Sequence, residues 1–200
     1  MVEQDILLDV RAVVKSFGGP LVLNGVDFQV RAGQVHALLG ANGAGKSTLI
    51  KIIAGMYSLD AGVIELAGSG DQRQQVAFVH QDLGLIETAT VAENIALEVG
   101  FPRRFGLIDW AAVRRQADTV LRLVGCELSA DTVVATLGRT ERSLIAIARA
   151  LASNPTVLIL DEPTASLPAA DVEVLAEAIN RLRKHGVGIC LLYTSDAADE

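Results

Sequence analysis

Two short stretches of the sequence carry the side chains that phosphate chemistry requires. The first runs GANGAGKS and fits the spacing G-x-x-x-x-G-K-[ST], which typically forms a loop around nucleotide phosphates. Its glycines let backbone N–H groups approach the phosphates closely, and Lys46 can reach the β- and γ-phosphate oxygens. The Ser47 hydroxyl can ligate Mg²⁺. The predicted phosphate-binding set is Gly40, Ala41, Asn42, Gly43, Ala44, Gly45, Lys46, Ser47 and Thr48.

The second stretch places two acids, Asp161 and Glu162, directly after the apolar run 157–160. Adjacent carboxylates at the end of a buried strand cost desolvation energy unless a cation or a reaction uses them. We expect Asp161 to hold Mg²⁺ and Glu162 to polarise an attacking water. A pair of acids at a helix N-terminus is the alternative interpretation, which the phosphate loop makes weaker.

The flanking segments predict the elements that position both stretches. QVHALL precedes the loop as a short strand, and STLIKIIAGM follows it as a helix that Gly55 ends. A wholly apolar strand such as 157–160 is typical of a parallel sheet covered on both faces, with ligands beyond its carboxyl end. Further helices are predicted at 110–124, 171–185 and after LGRTE, where Leu144, Ile147, Ala148 and Leu151 share a face.

Composition indicates a protein with a substantial core and a reducing environment. Half of the 200 residues are apolar, yet no apolar run reaches the ~18–20 residues of a membrane span. The start MVEQDILLDVR lacks the basic character of a signal peptide, and we expect Cys126 and Cys190 to be free thiols. A net charge of −7 argues against nucleic-acid binding. No sustained heptad pattern, which a coiled coil would require, lies between Lys46 and Asp161.

With both stretches placed, the chain resembles the ATP-binding subunit of an ABC transporter, from about Val10 to Ile189. The stretches GQVHALLGANGAGKSTLIKIIAGMY, DAGVIELAG, TVAENIAL and FGLIDWAAVRRQA are similar to the first ATPase half of bacterial monosaccharide importers. The resemblance implies an α/β P-loop NTPase fold of ABC type. Its parallel core sheet would carry an N-terminal antiparallel β edge and a helical arm at about 92–138, with ATP and Mg²⁺ as cofactors.

The resemblance also implies site residues. Phe17 matches an aromatic that stacks on adenine, although an ordinary structural aromatic is nearly as good an interpretation. Gln81 matches a catalytic glutamine that contacts Mg²⁺ and the attacking water, beside the catalytic Glu162. The implied metal ligands are therefore Ser47, Gln81 and Asp161.

LGRTE, from Leu137 to Glu141, occupies the place of the family signature that caps ATP on a second ATPase domain. Gly138 stands where a serine is usual, Thr140 where a small residue is usual, and Glu141 where a glutamine is usual. We expect Glu141 to direct a negative charge toward a phosphate of that ATP, which Arg139 could offset in part. A shifted register could let Thr136 or Thr140 supply a hydroxyl, but a degenerate signature is the simpler interpretation. We therefore expect one competent and one impaired ATP site per pair of domains.

The resemblance implies membrane permease subunits, a second ATPase domain and, indirectly, a periplasmic sugar-binding protein as partners, and no nucleic acid. It implies a peripheral location on the cytoplasmic face of the bacterial inner membrane. A non-catalytic nucleotide-binding half, a truncated remnant, and an importer of another small solute remain alternatives. The basic residues Arg103, Arg104, Arg114 and Arg115 are either a solvated face or a contact for a membrane subunit.

The last eleven residues, CLLYTSDAADE, resemble a translated sequencing adapter. We therefore expect an ATP-binding domain at 1–189 and a non-native tail at 190–200. The resemblance implies a serine–histidine pair near position 195, whereas no histidine follows His185 in this chain. His185 lies at a helix end, where it substitutes poorly for that residue.

Overall fold

A computed structural model of the chain describes residues 6–67, 75–165 and 167–194. Most of the segment 67–75, whose sequence AGSGDQRQQ predicts a polar loop, and residues 195–200 of the predicted tail lie outside the described residues. The strands are β1 (Ile6–Ser16), β2 (Leu21–Arg31), β3 (Val35–Gly40), β4 (Ala61–Leu66), β5 (Val76–Val79), β6 (Arg103–Arg104), β7 (Leu107–Ile108), β8 (Val157–Asp161) and β9 (Gly188–Thr194). The helices are α1 (Lys46–Ile53), α2 (Val91–Val99), α3 (Trp110–Val124), α4 (Arg139–Leu151) and α5 (Ala169–Lys184).

The strands form an antiparallel sheet near the N-terminus and a parallel sheet that carries the phosphate loop. The antiparallel sheet has the order β2-β1-β4, and the parallel sheet has the order β3-β9-β8-β5. In the parallel sheet Val35 pairs with Ile189, and Val157 pairs with both Gly188 and Val76. The predicted α/β class, parallel core and antiparallel β edge are all confirmed.

Strand β8 separates two apolar clusters, because its side chains alternate between the faces of the sheet. Leu158 and Leu160 pack with the helices α2–α5, whereas Val157 and Ile159 pack with β1, β2 and α1. All four side chains are essentially inaccessible, as the apolar run predicts. The same alternation puts Asp161 on the side of the sheet that carries α1.

A helical arm covers the other face of the parallel sheet. Helix α2 begins with a capping box, in which the Thr90 hydroxyl accepts from the Glu93 N–H and Glu93 accepts from the Thr90 N–H. Helix α3 spans Trp110–Val124, as predicted, and Asp109 is its N-cap. Helix α4 packs against α2, α3 and α5, so it buries more of its surface than the single face that the sequence pattern predicts.

The beginning of the predicted tail forms part of β9. Cys190 and Leu192 are buried there, and the strand pairs with β3 on one side and β8 on the other. Residues 195–200 lie outside the described part of the chain, and the non-native origin of the tail stays a prediction. The thiols of Cys126 and Cys190 are both free, as expected from their number.

Candidate functional site

The parallel sheet brings the two predicted stretches to one cavity. Strands β3, β5, β8 and β9 run in the same direction, so the segments that follow them meet at one edge of the sheet. The cavity at this edge has a volume of about 320 Å³. Its lining comprises Val22, Asn42, Gly43, Ala44, Gly45, Lys46, Ser47, Thr48, Gln81, Asp161, Glu162 and Leu192.

The loop between β3 and α1 depends on glycine for its shape. Gly45, the N-cap of α1, has a φ of 87°, and a Cβ there would lie 2.7 Å from the Val22 carbonyl oxygen. Gly43 also has a positive φ, of 80°. The Lys46 ammonium donates to the carbonyl oxygens of Gly40 and Ala41, the latter at 2.9 Å. The lysine is thus held over the loop, where a phosphate oxygen can compete for it.

Asp161 experiences opposing electrostatic influences at this edge. Burial is the largest of them and raises the pKa of its carboxyl group, and the neighbouring Glu162 charge raises the pKa further. His80 and Lys46 act in the other direction and lower that pKa. The His80 side chain is exposed and lies close enough to the acid to influence it. A cation between Asp161 and the phosphate loop would relieve the penalty of burying the carboxylate.

Glu162 leaves the strand in an unusual backbone conformation. Its φ of 44° lies in the left-handed region, which a non-glycine residue adopts at a cost of about 1 kcal/mol or more. Its N–H donates to the Leu192 carbonyl oxygen at 3.0 Å, which holds the turn against β9. The sequence did not indicate this conformation, which turns the chain at the place where the acid meets the cavity.

Gln81, Asp161 and Glu162 also line a second cavity of about 320 Å³ on the other side of the acid pair. The loop that follows Gln81 forms one wall, and the first turns of α4 form the opposite wall through Arg139, Arg142 and Ser143. The two cavities share Gln81, Asp161 and Glu162, so the acid pair is accessible both from the phosphate loop and from the start of α4.

Three side chains that the sequence analysis did not single out hold the loop after Gln81. Arg149 donates to the carbonyl oxygens of Leu83 and Gly84 at 2.6 and 2.7 Å. Arg142 pairs with Glu87 at 2.7 Å. Asn94 is fully buried; its side chain accepts from the Ile86 N–H and donates to the Ile86 and Thr90 carbonyl oxygens. Helices α2 and α4 therefore fix the loop that carries Gln81.

The start of α4 differs in one respect from the sequence expectation. Gly138 is the N-cap, and its N–H donates to the Glu141 carboxylate at 2.7 Å. We expected Glu141 to direct its charge toward a phosphate, but the carboxylate satisfies a backbone donor of its own helix. The helix start nevertheless lacks a side-chain hydroxyl at its N-cap, because that residue is glycine.

Phe17 lies on the antiparallel sheet and is not among the residues that line either cavity. Its ring meets the Tyr57 ring edge-on at 5.3 Å, and the Lys15 ammonium lies 5.3 Å from its centroid. With 57% of its surface exposed, it is accessible to a ligand. Its adenine contact stays a prediction.

The donor set fits a cation that is shared with phosphate oxygens better than a metal held by protein alone. The described residues contain no group of three or more His, Cys, Asp and Glu side chains that could hold a metal. Ser47, Gln81 and Asp161 offer hydroxyl, amide and carboxylate oxygens to a single cavity, and Mg²⁺ prefers such oxygen ligands. Among the helices of the described segments, none has the length and apolarity needed to cross a bilayer.

Comparison with protein families finds a match that includes most of the residues lining the two cavities. The ABC transporter family matches residues 23–165. The match extends from β2 to just beyond Glu162, so it includes the phosphate loop, Gln81 and the acid pair.

Individual relatives agree with that match. The chain is 44% identical over 193 residues to a Burkholderia lata protein provisionally named as a ribose/galactose/methyl galactoside import ATP-binding protein, covering 92% of this chain and 37% of the relative. It is 40% identical over 206 residues to the ribose import ATP-binding protein RbsA of Geobacillus kaustophilus, covering 97% and 41%. The chain thus spans about two fifths of the length of the curated relatives it matches.

A solved structure agrees over nearly the whole fold. The chain superimposes on cbiO1 from Clostridium perfringens, part of the ABC transporter complex cbiONQ, with a TM-score of 0.81 and 27% identity. The superposition covers 96% of this chain and 80% of cbiO1. The arrangement of sheet, loop and helical arm is therefore that of a known fold.

Proposed function

This chain belongs to the ABC transporter family, and on that premise we propose that it binds and hydrolyses ATP to energise sugar import through membrane permease subunits. The observation that carries the proposal is the cavity that joins the phosphate loop to Gln81, Asp161 and Glu162. This cavity supports the proposal because its lining offers side chains suited to a phosphate cradle, a cation ligand and a general base, which ATP hydrolysis requires.

The residues divide the reaction between them. The N–H groups at the start of α1 and the Lys46 ammonium would bind the β- and γ-phosphates, for which the ammonium exchanges its carbonyl partners. Ser47, Gln81 and Asp161 would hold Mg²⁺, which when bound neutralises charge on the phosphate oxygens. Glu162 would accept the proton of the attacking water, and Gln81 would orient that water.

The start of α4 favours unequal sites in a pair of such domains. A signature that caps the γ-phosphate of a facing domain must offer donors, but here Gly138 has no hydroxyl and its N–H is engaged by Glu141. We propose that the nucleotide bound by the phosphate loop of this domain is hydrolysed. The nucleotide bound by the facing domain, which the start of α4 would cap, should be hydrolysed slowly. Equal turnover at both sites of an assembled pair would contradict this asymmetry.

The start of α4, with its missing hydroxyl, also supports a second candidate function. In that case the chain is a nucleotide-binding half that regulates or supports a catalytic partner. The Glu162→Gln variant separates the two functions in an assembled pair, because the amide cannot accept a proton. If this half catalyses, turnover falls about a hundredfold or more. Unchanged turnover would instead assign chemistry to the partner alone.

Sugar as the cargo follows from the relatives, whose names specify ribose and galactose import. We propose a monosaccharide importer with a periplasmic sugar-binding protein as an indirect partner, and a peripheral location on the cytoplasmic face of the inner membrane. The side chains of the site described above are suited to phosphate and a cation, so the choice of sugar belongs to other subunits.

The first experiment measures binding of a fluorescent ATP analogue in the presence of Mg²⁺. Lys46→Ala should weaken binding by about tenfold or more, since a charge-assisted contact to phosphate is lost. Lys51→Ala is the matched control, because Lys51 is on the same helix but packs near the Tyr57 ring, 5.6 Å from its centroid. Equal affinity in the two variants would refute the phosphate site.

A further inference from the structure

The hairpin of β6 and β7 projects from the helical arm with an aromatic residue at its tip. Arg103 pairs with Ile108 and Arg104 with Leu107, which leaves a two-residue turn of Phe105 and Gly106. Both turn residues have positive φ, 53° and 83°, as in a type I′ turn. Asn-Gly and Asp-Gly are the preferred sequences for such a turn, so local backbone preference does not explain a phenylalanine there.

Packing does not explain the phenylalanine either. Phe105 is 94% exposed and Leu107 is 77% exposed. The Arg104 guanidinium lies 5.4 Å from the Phe105 ring centroid, which is a contact within the hairpin and not with the body of the protein. Folding therefore gains little from either side chain, and an exposed aromatic–aliphatic pair of this kind is typical of an interaction surface.

The charge of the hairpin is opposite to that of the chain. The segment 99–108 reads VGFPRRFGLI, with two arginines and no acid, in a chain of net charge −7. Asp109 follows the segment, but its carboxylate accepts from the Ala112 N–H as the cap of α3. Arg114, on the neighbouring helix α3, forms an ion pair with Asp131 at 2.7 Å. The positive charge at the tip is therefore that of Arg103 and Arg104, which belong to the hairpin itself.

The base of the hairpin is held in place. The Asp109 N–H donates to the Pro102 carbonyl oxygen at 2.8 Å, and the Phe101 ring meets the Trp110 ring edge-on at 6.0 Å. Trp110, the single tryptophan of the sequence, is itself partly exposed. The hydrogen bond and the aromatic contact therefore join the two ends of the hairpin, and Phe101 and Trp110 lie at its base.

We propose that this hairpin docks directly on an anionic lipid bilayer. Arginines bind headgroup phosphates, and aromatic and leucine side chains beside them enter the interfacial region. The net negative charge of the whole chain repels such a surface, so the contact is local, weak on its own and sensitive to salt. The proposal does not depend on ATP binding, and its failure would leave the proposed ATPase function untouched.

Flotation of the 200-residue chain with lipid vesicles tests the proposal. Vesicles of phosphatidylcholine alone are compared with vesicles that contain about one third phosphatidylglycerol. Trp110 supplies an intrinsic fluorescence signal at the hairpin base. The variants are Phe105→Asn with Leu107→Ser, Arg103→Gln with Arg104→Gln, and the control Met56→Ser, which removes a 68% exposed apolar side chain elsewhere.

We expect the wild type and the Met56→Ser control to float with anionic vesicles and to shift their tryptophan emission to shorter wavelength. The two hairpin variants should float about tenfold less, and added salt should release the wild type. Thermal unfolding of every variant checks that the fold persists, which exposed substitutions should leave intact. If the wild type does not float, or if hairpin variants with an intact fold float equally well, the lipid proposal is overturned. If the hairpin binds a loop of the permease instead of lipid, the wild type will not float with vesicles.

Discussion

Arg149 donates a hydrogen bond of 2.7 Å to the carbonyl oxygen of Gly84, from one end of α4 to the loop that follows Gln81. A second bond of 2.6 Å joins the same guanidinium to the Leu83 carbonyl oxygen. Because α4 begins at Arg139 beside the segment 137–141, one helix connects the loop that follows Gln81 with the surface that we propose meets a second domain.

Replacing Arg149 with alanine should loosen that loop. Two charge-assisted bonds to carbonyl oxygens are lost, so we expect the free energy of unfolding to fall by about 1–3 kcal/mol and ATP turnover to fall with it. Urea unfolding and phosphate release measure the two effects. Arg183→Ala at the exposed end of α5 is the control. Equal losses of stability and turnover in the two variants would contradict the role of Arg149 in holding the loop after Gln81.

Replacing Gly45 with alanine should disrupt the phosphate loop. The new Cβ would lie 2.7 Å from the Val22 carbonyl oxygen in a backbone conformation with φ of 87°, which together should cost roughly 2–4 kcal/mol. Nucleotide affinity should fall as well. Gly19→Ala is the matched control, because a Cβ at Gly19 meets nothing within 4 Å. A fully stable Gly45→Ala protein that still binds nucleotide would show that the loop has another shape.

The capping box of α2 should make stability depend on pH. The Thr90 N–H, and then the Thr90 hydroxyl, lower the pKa of Glu93 from its usual 4.5. Because the folded-state pKa is the lower one, the contribution is present above about pH 4.5 and is lost as the pH falls through the folded-state value. Unfolding of Glu93→Gln should therefore differ from wild type at pH 7 and converge with it in acid.

Glu98→Gln serves as the control for that measurement, since Glu98 lies at the exposed far end of the same helix. Its difference from wild type at pH 7 should be small. A Glu93→Gln difference that grows in acid would have the wrong sign for a carboxylate whose pKa is lowered by folding.

Native cysteines should resist alkylation. Cys190 is inaccessible in β9, and burial raises the pKa of its thiol to about 12, which leaves roughly one thiolate in ten thousand at pH 8. Burial also raises the pKa of the Cys126 thiol. Mass spectrometry after iodoacetamide treatment should show no label on the native chain and two on the denatured chain. Rapid native labelling at Cys190 would contradict its place between β3 and β8.

The local parts of the site were predictable, because sequence neighbours form them. The loop from Gly40 to Ser47 and the acids after β8 follow from glycine spacing and one apolar run. Contacts between distant residues were not predictable, and those of Arg149 with Leu83 and of Asn94 with Ile86 are examples. Glu162 combines a left-handed conformation with a hydrogen bond from its N–H to the Leu192 carbonyl oxygen of β9, and no local sequence pattern indicates either.

The position of β9 in the sheet has a consequence for biosynthesis. Strand β9 lies between β3 and β8 although it follows both in the chain, so neither neighbour can complete its pairing until Gly188–Thr194 has left the ribosome. Until then the two strands that carry the phosphate loop and the acid pair would face each other across an open gap with exposed edges. The nascent domain is thus a candidate for chaperone binding during most of its synthesis, and its folding is expected to be slow, because long-range parallel pairing comes last.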